Sequence, residues 1–246
     1  MQTPALSLLA LILSALSASA LGSDHVLLNA TFDHETVDAL VGTGGAAAGE
    51  PISLFCHGDS TPPDCAVIAT SPFSTPNLQI RDTDTYYGES AWFGFLGDEE
   101  VTTGTVQVRA QVLFTGAGGP EIGLREQGTL AQTFLEFNCA TANLYCSAYT
   151  GNTNHYLGAQ AANTIMPLEI DASADQKLLS LRLNGTTLLD KVSIDLTTAR
   201  GIGSILFGTA NSLETPPDVM RIDNLRAVAC TSTVFADCLF VDSFDH

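Results

Sequence analysis

The amino-acid sequence predicts an all-β fold, an antiparallel two-sheet β-sandwich or jelly roll. Three observations carry this. Val106, Val108, Ala110, Val112 and Phe114 interleave with Gln107, Arg109 and Gln111, a period-two alternation. Asn184-Gly185 separates two alternating arms in "LSLRLNGTTLLDKVSI". That dipeptide supplies the two φ > 0 positions of a type I′ hairpin turn. No segment of useful length has the 3.6-residue helical period. The 246 residues, 45% of them hydrophobic, suffice to core one large domain. Turn signals divide it into about ten to twelve short strands.

The elements follow in order. "MQTPALSLLALILSALSASALGSDH" opens with an apolar run from Ala5 to Leu16, then small residues. It reads as a signal peptide over residues 1–20, with Ala18 and Ala20 at the cleavage-site positions, although no Lys or Arg precedes the apolar run. The run is too short to span a bilayer. "HVLLNATFD", His25 to Asp33, predicts the first strand, and "ALVGTGGAAAGEP" a loop. "SLFCHGDSTPPDCAVIATS" holds a cysteine couple around a Pro-Pro turn. In "YYGESAWFGFLG", Ala91, Phe93 and Phe95 share one face and Trp92 points to the other. The Val106–Phe114 segment is a half-buried strand with one wet face. "EIGLREQG" and "LAQTFLEFNC" form a pair, and "NLYCSAYTGNTNHYLGAQ" carries tyrosines and His155 among turn residues. "MPLEIDAS", the Asn-Gly hairpin, "GSILFG" and "VMRIDNLRAVA" complete the domain. The organisation is a signal peptide, one sandwich domain over 21–229, and a cysteine-containing tail over 230–246.

Charge and cysteines bound the function. Against 9 basic residues stand 27 acidic ones, for a net charge of −18. Such a surface repels phosphate backbones, which makes nucleic acid and anionic membrane surfaces poor partners; no nucleic-acid partner and no membrane span are expected. It suits cations, neutral glycans or basic partners, and it also keeps a secreted protein soluble. The six cysteines fall into near-neighbour couples: Cys56 with Cys65, Cys139 with Cys146, Cys230 with Cys238. Six cysteines allow 15 pairings. Sequential pairing closes the shortest loops and is the expectation here. C-x-x-C spacing and flanking histidine pairs are missing, which argues against zinc. Disulfides of an oxidising compartment are the better reading.

Two stretches resemble a family. "LLNATFDHETVD" and "RIDNLRAV" resemble the opening and closing strands of concanavalin A-like and carbohydrate-binding-module jelly rolls. "LLSLRLNGTTLLD" is similar to a hairpin of laminin G-like members. The tail "VFADCLFVDSFDH" resembles the (I/V)-F-x-D-G-F-(D/E) ending of secreted bacterial proteins, with Ser243 where glycine is usual. The resemblance implies a concanavalin A-like sandwich and a bacterial protein that is extracellular, periplasmic or on the outer surface. It also implies that the first and last strands are neighbours, where related modules hold a structural Ca²⁺. Asp33 and Asp223 are the carboxylates placed to do so here, unless both are solvated strand-end acids. In a bacterial protein the Asn29-Ala-Thr31 and Asn184-Gly-Thr186 sequons are coincidental.

No catalytic motif is present. The E-x-D-x-x-E of hydrolases on this fold is missing, and "GLREQG" shares only Arg125-Glu126 with the R-x-E-(L/V)-R of lyases. Asp98 to Glu100 reads as a solvated turn. Sugar C–H faces stack on aromatic rings while hydroxyls seek amides and carboxylates. The candidate carbohydrate-binding residues are therefore Trp92, Arg125, Glu136, Tyr149, His155 and Tyr156. Competing readings stay open: the tyrosines brace a disulfide, His155 is a loop histidine, and Arg125 with Glu121 or Glu136 is a cross-strand ion pair. The leading expectation is a secreted lectin-like module that binds an extracellular glycan or cell-surface component. The alternatives are a polysaccharide lyase or glycoside hydrolase on the same fold, or a structural, adhesive protein.

Overall fold

The structure, a computed structural model, describes residues 25–56, 65–81, 88–115, 119–127, 132–140, 144–196, 200–210 and 219–230. The expected signal peptide, most of the expected tail and Cys238 lie outside them. The described residues form fifteen strands and two short 3-10 turns. The first five strands are β1 (His25–Ala30), β2 (Ser53–Phe55), β3 (Ala66–Ala69), β4 (Asn77–Arg81) and β5 (Ser90–Gly94). Next come β6 (Thr105–Phe114), β7 (Gly119–Arg125), β8 (Thr133–Ala140), β9 (Tyr145–Thr150) and β10 (Thr153–Ala159). The last five are β11 (Ile165–Ser173), β12 (Leu178–Leu183), β13 (Thr186–Ser193), β14 (Ser204–Ala210) and β15 (Val219–Cys230).

They build two antiparallel sheets. One has eight strands in the order β13-β12-β11-β6-β15-β4-β3, with β1 also on β15. The other has seven, in the order β10-β9-β8-β7-β14-β5-β2. The fold is the expected all-β sandwich, with more strands than turn signals suggested. The excess comes from β2, β3, β9 and β10, which lie in stretches the sequence presents as turn-rich. β9 and β10 alternate small residues with tyrosines rather than aliphatics, so their strand pattern is faint.

The core lies between the sheets. Ala91 and Phe93 from β5, Val106 to Phe114 at every second position of β6, and Ile122 and Leu124 from β7 all point into it. Phe93 makes edge-to-face contacts with Phe32 and Phe207, at centroid distances of 6.4 and 6.1 Å. The Asn184-Gly185 turn has φ of 51° and 72°, as a type I′ hairpin requires. Cys56–Cys65 and Cys139–Cys146 are bonded as expected. Cys230 is also disulfide-bonded.

Three details depart from expectation. The outward face of β6 is not wet throughout: Gln107 is buried, and Arg109 is held by Asp171 at 2.9 Å. The first strand stops at Ala30, before Asp33, because Phe32 takes φ 59° to turn its ring into the core. The acids of Asp98 to Glu100 are engaged rather than simply solvated. Asp98 accepts from Gln127, Glu99 meets His25, and Glu100 meets Arg200.

Candidate functional site

Register and alternation assemble the site on the outer face of the seven-strand sheet. Ile122, Leu124, Ala148, Ile205 and Phe207 point inward, so their chain neighbours point out. The pairing aligns one outward row across the sheet: Ser53, Trp92, Leu206, Gly123, Glu136, Tyr149 and Asn154. The next row runs Phe55, Ser90, Gly208, Glu121, Asn138, Ser147 and Tyr156. Six interstrand steps make each row about 29 Å long.

Arg125 stands one pleat beyond Gly123 and Glu136, opposite Ser204 and Thr133. The absent side chain at Gly123 lets Arg125 fold back along its own strand. A Cβ there would lie 3.1 Å from the Arg125 Nε. The guanidinium then donates to Glu121 Oε1 at 3.4 Å. The ion pair is thus along one strand, over a glycine, and not across two strands as the sequence suggested.

The carboxylates Glu121 and Glu136 are diagonal neighbours on adjacent strands, since Glu121 faces Asn138 and Glu136 faces Gly123. Burial pushes the Glu121 carboxyl above its ordinary value; Arg125 opposes this and Glu136 adds to it. Around Glu136 runs a polar chain. Ser147 Oγ donates to Asn138 Oδ1 at 3.2 Å, and Asn138 Nδ2 donates to Glu136 Oε1 at 3.2 Å. Aromatic rings flank this centre. Tyr149 and Tyr156 lie on one side, 43% and 79% exposed, and Trp92 on the other. The Nε1 of Trp92 and the Nε of Arg125 are buried without a hydrogen-bond partner among the described residues.

Five of the six candidate residues, Trp92, Arg125, Glu136, Tyr149 and Tyr156, share this face. His155 does not. It is opposite Ala148, and its Nε2 meets Thr150 Oγ1 at 2.9 Å on the other side of the strand. Sequence reasoning left out Asn138 and Ser147. Their signal was the alternation itself, which puts them in phase with Glu136 and Tyr149.

The expected metal pair lies on the other sheet. β1 does pair with β15, and Asp223 sits at a bulge where β15 turns from β4 to β1. Its carboxylate is buried and accepts from Thr75 Oγ1 and from the Asn224 N–H, each at 2.7 Å. Burial raises its pKa, those two bonds lower it, and nearby Asp33 raises it further. Asp33 is exposed in the turn after β1. This donor set supplies two carboxylates; no group of three His, Cys, Asp or Glu suited to a metal occurs among the described residues.

Neither a protein-family model nor a curated protein sequence matches the chain. Solved structures do. The catalytic domain of a glycoside hydrolase family 131 protein from Coprinopsis cinerea has a TM-score of 0.56 at 13% identity, covering 82% of this chain and 94% of that one. A family 131 β-glucanase catalytic domain from Podospora anserina gives 0.52 at 10% identity, over 72% and 84% of the two chains. A variant of a family 7 alginate lyase in complex with product gives 0.50 at 11% identity, over 69% and 84%. The likeness is one of fold. It places the chain among jelly-roll sandwiches, and identities this low leave the chemistry to the residues of this face.

Proposed function

We propose that the outer face of the seven-strand sheet binds a neutral glycan chain. One observation carries the reading: aromatic rings toward both ends of two aligned rows, with carboxylate, amide and hydroxyl groups between them. Rings offer stacking area to sugar faces, and the Glu136–Asn138–Ser147 chain offers hydroxyl partners. The structural neighbours include a β-glucanase and an alginate lyase. The face favours the uncharged substrate of the two classes. Arg125 is already committed to Glu121, and two glutamates would repel a uronate polymer. The disulfides fit a secreted protein acting in an oxidising compartment.

A second reading, cleavage of the bound glycan, rests on the different surroundings of the two glutamates. Glu121, raised by burial, would keep its proton to higher pH and could serve as general acid. Glu136 would then act as the partner carboxylate, as base toward water or as nucleophile. Calorimetric titration with neutral β-glucan and alginate oligosaccharides, alongside reducing-end release, tests both readings. Binding of the neutral oligomers alone supports the glycan face, and release that is lost in Glu121→Gln and Glu136→Gln supports cleavage. Preferential binding of alginate, or of neither oligomer, would contradict the proposal.

We also propose that Asp33 and Asp223 hold a structural Ca²⁺. A buried carboxylate facing a second one is relieved by a hard divalent cation. Backbone carbonyls and water would complete the shell. Ca²⁺ at ~100 Kd should stabilise by about 2.7 kcal/mol, with Mg²⁺ doing much less. A melting temperature equal in EDTA and in millimolar Ca²⁺ would remove the site.

A further inference from the structure

Not all seven arginines of this acidic chain meet a carboxylate among the described residues. Arg109 meets Asp171 and Glu169, Arg125 meets Glu121, Arg182 meets Glu169, and Arg200 meets Glu126 and Glu100. Pairing is the expected outcome where acids outnumber bases 27 to 9. Arg226 has a partner of its own, and Arg81 and Arg221 depart from the pattern. On the outer face of the eight-strand sheet, Arg221 is opposite Gln79 and Arg81 is opposite Val219. The two guanidinium-bearing residues are therefore diagonal neighbours on one face, close enough to act on each other electrostatically. Neither meets a carboxylate among the described residues. Asp223, two residues beyond Arg221, turns its carboxylate to Thr75 and Asn224 instead.

Both side chains are half-buried, and the Arg81 Nε is fully buried with no hydrogen-bond partner among the described residues. The surroundings are apolar or neutral: Val67 opposite Gln79 on one side, and Leu113 opposite Arg221 on the other. Two adjacent cations, partly desolvated and without a carboxylate partner among the described residues, raise the free energy of the fold unless an anion joins them.

We propose that Arg81 and Arg221 form a binding site for a tetrahedral dianion of the phosphate class, on the sheet opposite the glycan face. Two guanidinium forks match such an anion in charge and in donor geometry. The group is either free phosphate or the phosphate monoester of a sugar. The site is independent of the glycan reading, because the two faces belong to different sheets.

The test is calorimetry and thermal melting of the whole chain with inorganic phosphate and with glucose 6-phosphate, at ionic strength fixed with chloride. Saturable binding near one equivalent, with a melting temperature that rises with phosphate and not with chloride, is the expected result. The Arg221→Gln and Arg81→Gln variants should each lose at least tenfold in affinity while still binding glycan. Tighter binding of glucose 6-phosphate than of phosphate identifies the ester as the ligand; equal binding identifies free phosphate. Calorimetry on the unaltered chain stands even if a variant fails to fold. Absence of saturable binding there would overturn the proposal, as would full retention of binding in both variants. A rise in melting temperature that never saturates would also overturn it, since excluded salts stabilise proteins in that way.

Discussion

The outer faces of the two sheets obey the same alternation and are built differently. On the eight-strand sheet, outward charges lock across strands: Arg109 to Asp171, and Arg182 to Glu169, on β6, β11 and β12. On the seven-strand sheet, Gly123 and Gly208 stand among the central outward positions, and the ion pair seen there among the described residues, Arg125 to Glu121, lies along a single strand. The first pattern fills the β6, β11 and β12 part of that face with partners from neighbouring strands and leaves little for a ligand there. The second leaves two glycine positions beside Leu206 without side chains, rimmed by rings and carboxylates. The contrast separates scaffold polarity from site polarity within one fold, which neither net charge nor strand pattern can do.

The comparison can be broken at its staple, where the largest effect is expected. Cys139–Cys146 bonds directly opposed residues of β8 and β9, the strands that carry Glu136, Asn138, Ser147 and Tyr149. Cys139→Ser with Cys146→Ser should cost about 2–3 kcal/mol by the loop-entropy account. Urea melts check the stability. Glycan titration should show weakened binding, while the Arg109–Asp171 lattice holds the other sheet. Equal loss of glycan binding in Asp171→Asn would mean the faces are not separable.

That second substitution is a prediction in its own right. Asp171 and Arg109 are both largely buried and meet at 2.9 Å. Asp171→Asn should cost roughly 1.5–2 kcal/mol, the lower part of the range for a hydrogen bond to a charged group, with glycan affinity unchanged. Chemical denaturation of the variant beside the parent gives the value.

The smallest effect is a pH dependence. Glu121 has a folded-state pKa above its unfolded one, so the folded state holds its proton more tightly. Its contribution to stability is full below the unfolded pKa and is lost as pH rises through the folded pKa. Glu121→Gln should remove that part of the decline. The variant should be the more stable protein at neutral pH relative to its own value at acid pH, even as it loses function. Melts over a pH series across the carboxylate range decide the sign.

Much of this was legible in the sequence, for definite reasons. The β6 alternation, the Asn184-Gly185 turn and the near-neighbour cysteines are local features, and local rules read them. The alternation at Ala91 to Phe95 also placed Trp92 outward. The same rule, applied to His155 beside Tyr156, would have sent that histidine to the opposite face. What sequence could not supply was adjacency. β14 inserts between β7 and β5, pairing Leu206 with both Gly123 and Trp92 from distant parts of the chain. Only that insertion brings Trp92 into the row of Glu136 and Tyr149. The value of Gly123 was hidden too, because it depends on Arg125 folding back over it. The short, tyrosine-bearing β9 and β10 looked like turns because their outward residues carry little aliphatic signal.

The row from Trp92 to Tyr149 is the proposed glycan site. The chain has one tryptophan, so its emission reports from that row without a label. The most direct measurement is a fluorescence titration of the full chain with a neutral β-glucan hexasaccharide. Arg81→Gln and Tyr149→Ala serve as variants on and off the opposite face. The account predicts a saturable change in Trp92 emission that persists in Arg81→Gln and weakens about tenfold in Tyr149→Ala, the loss of roughly 1.4 kcal/mol of ring stacking. Calorimetric binding of the hexasaccharide with unchanged Trp92 emission would contradict it, because the sugar would then lie elsewhere.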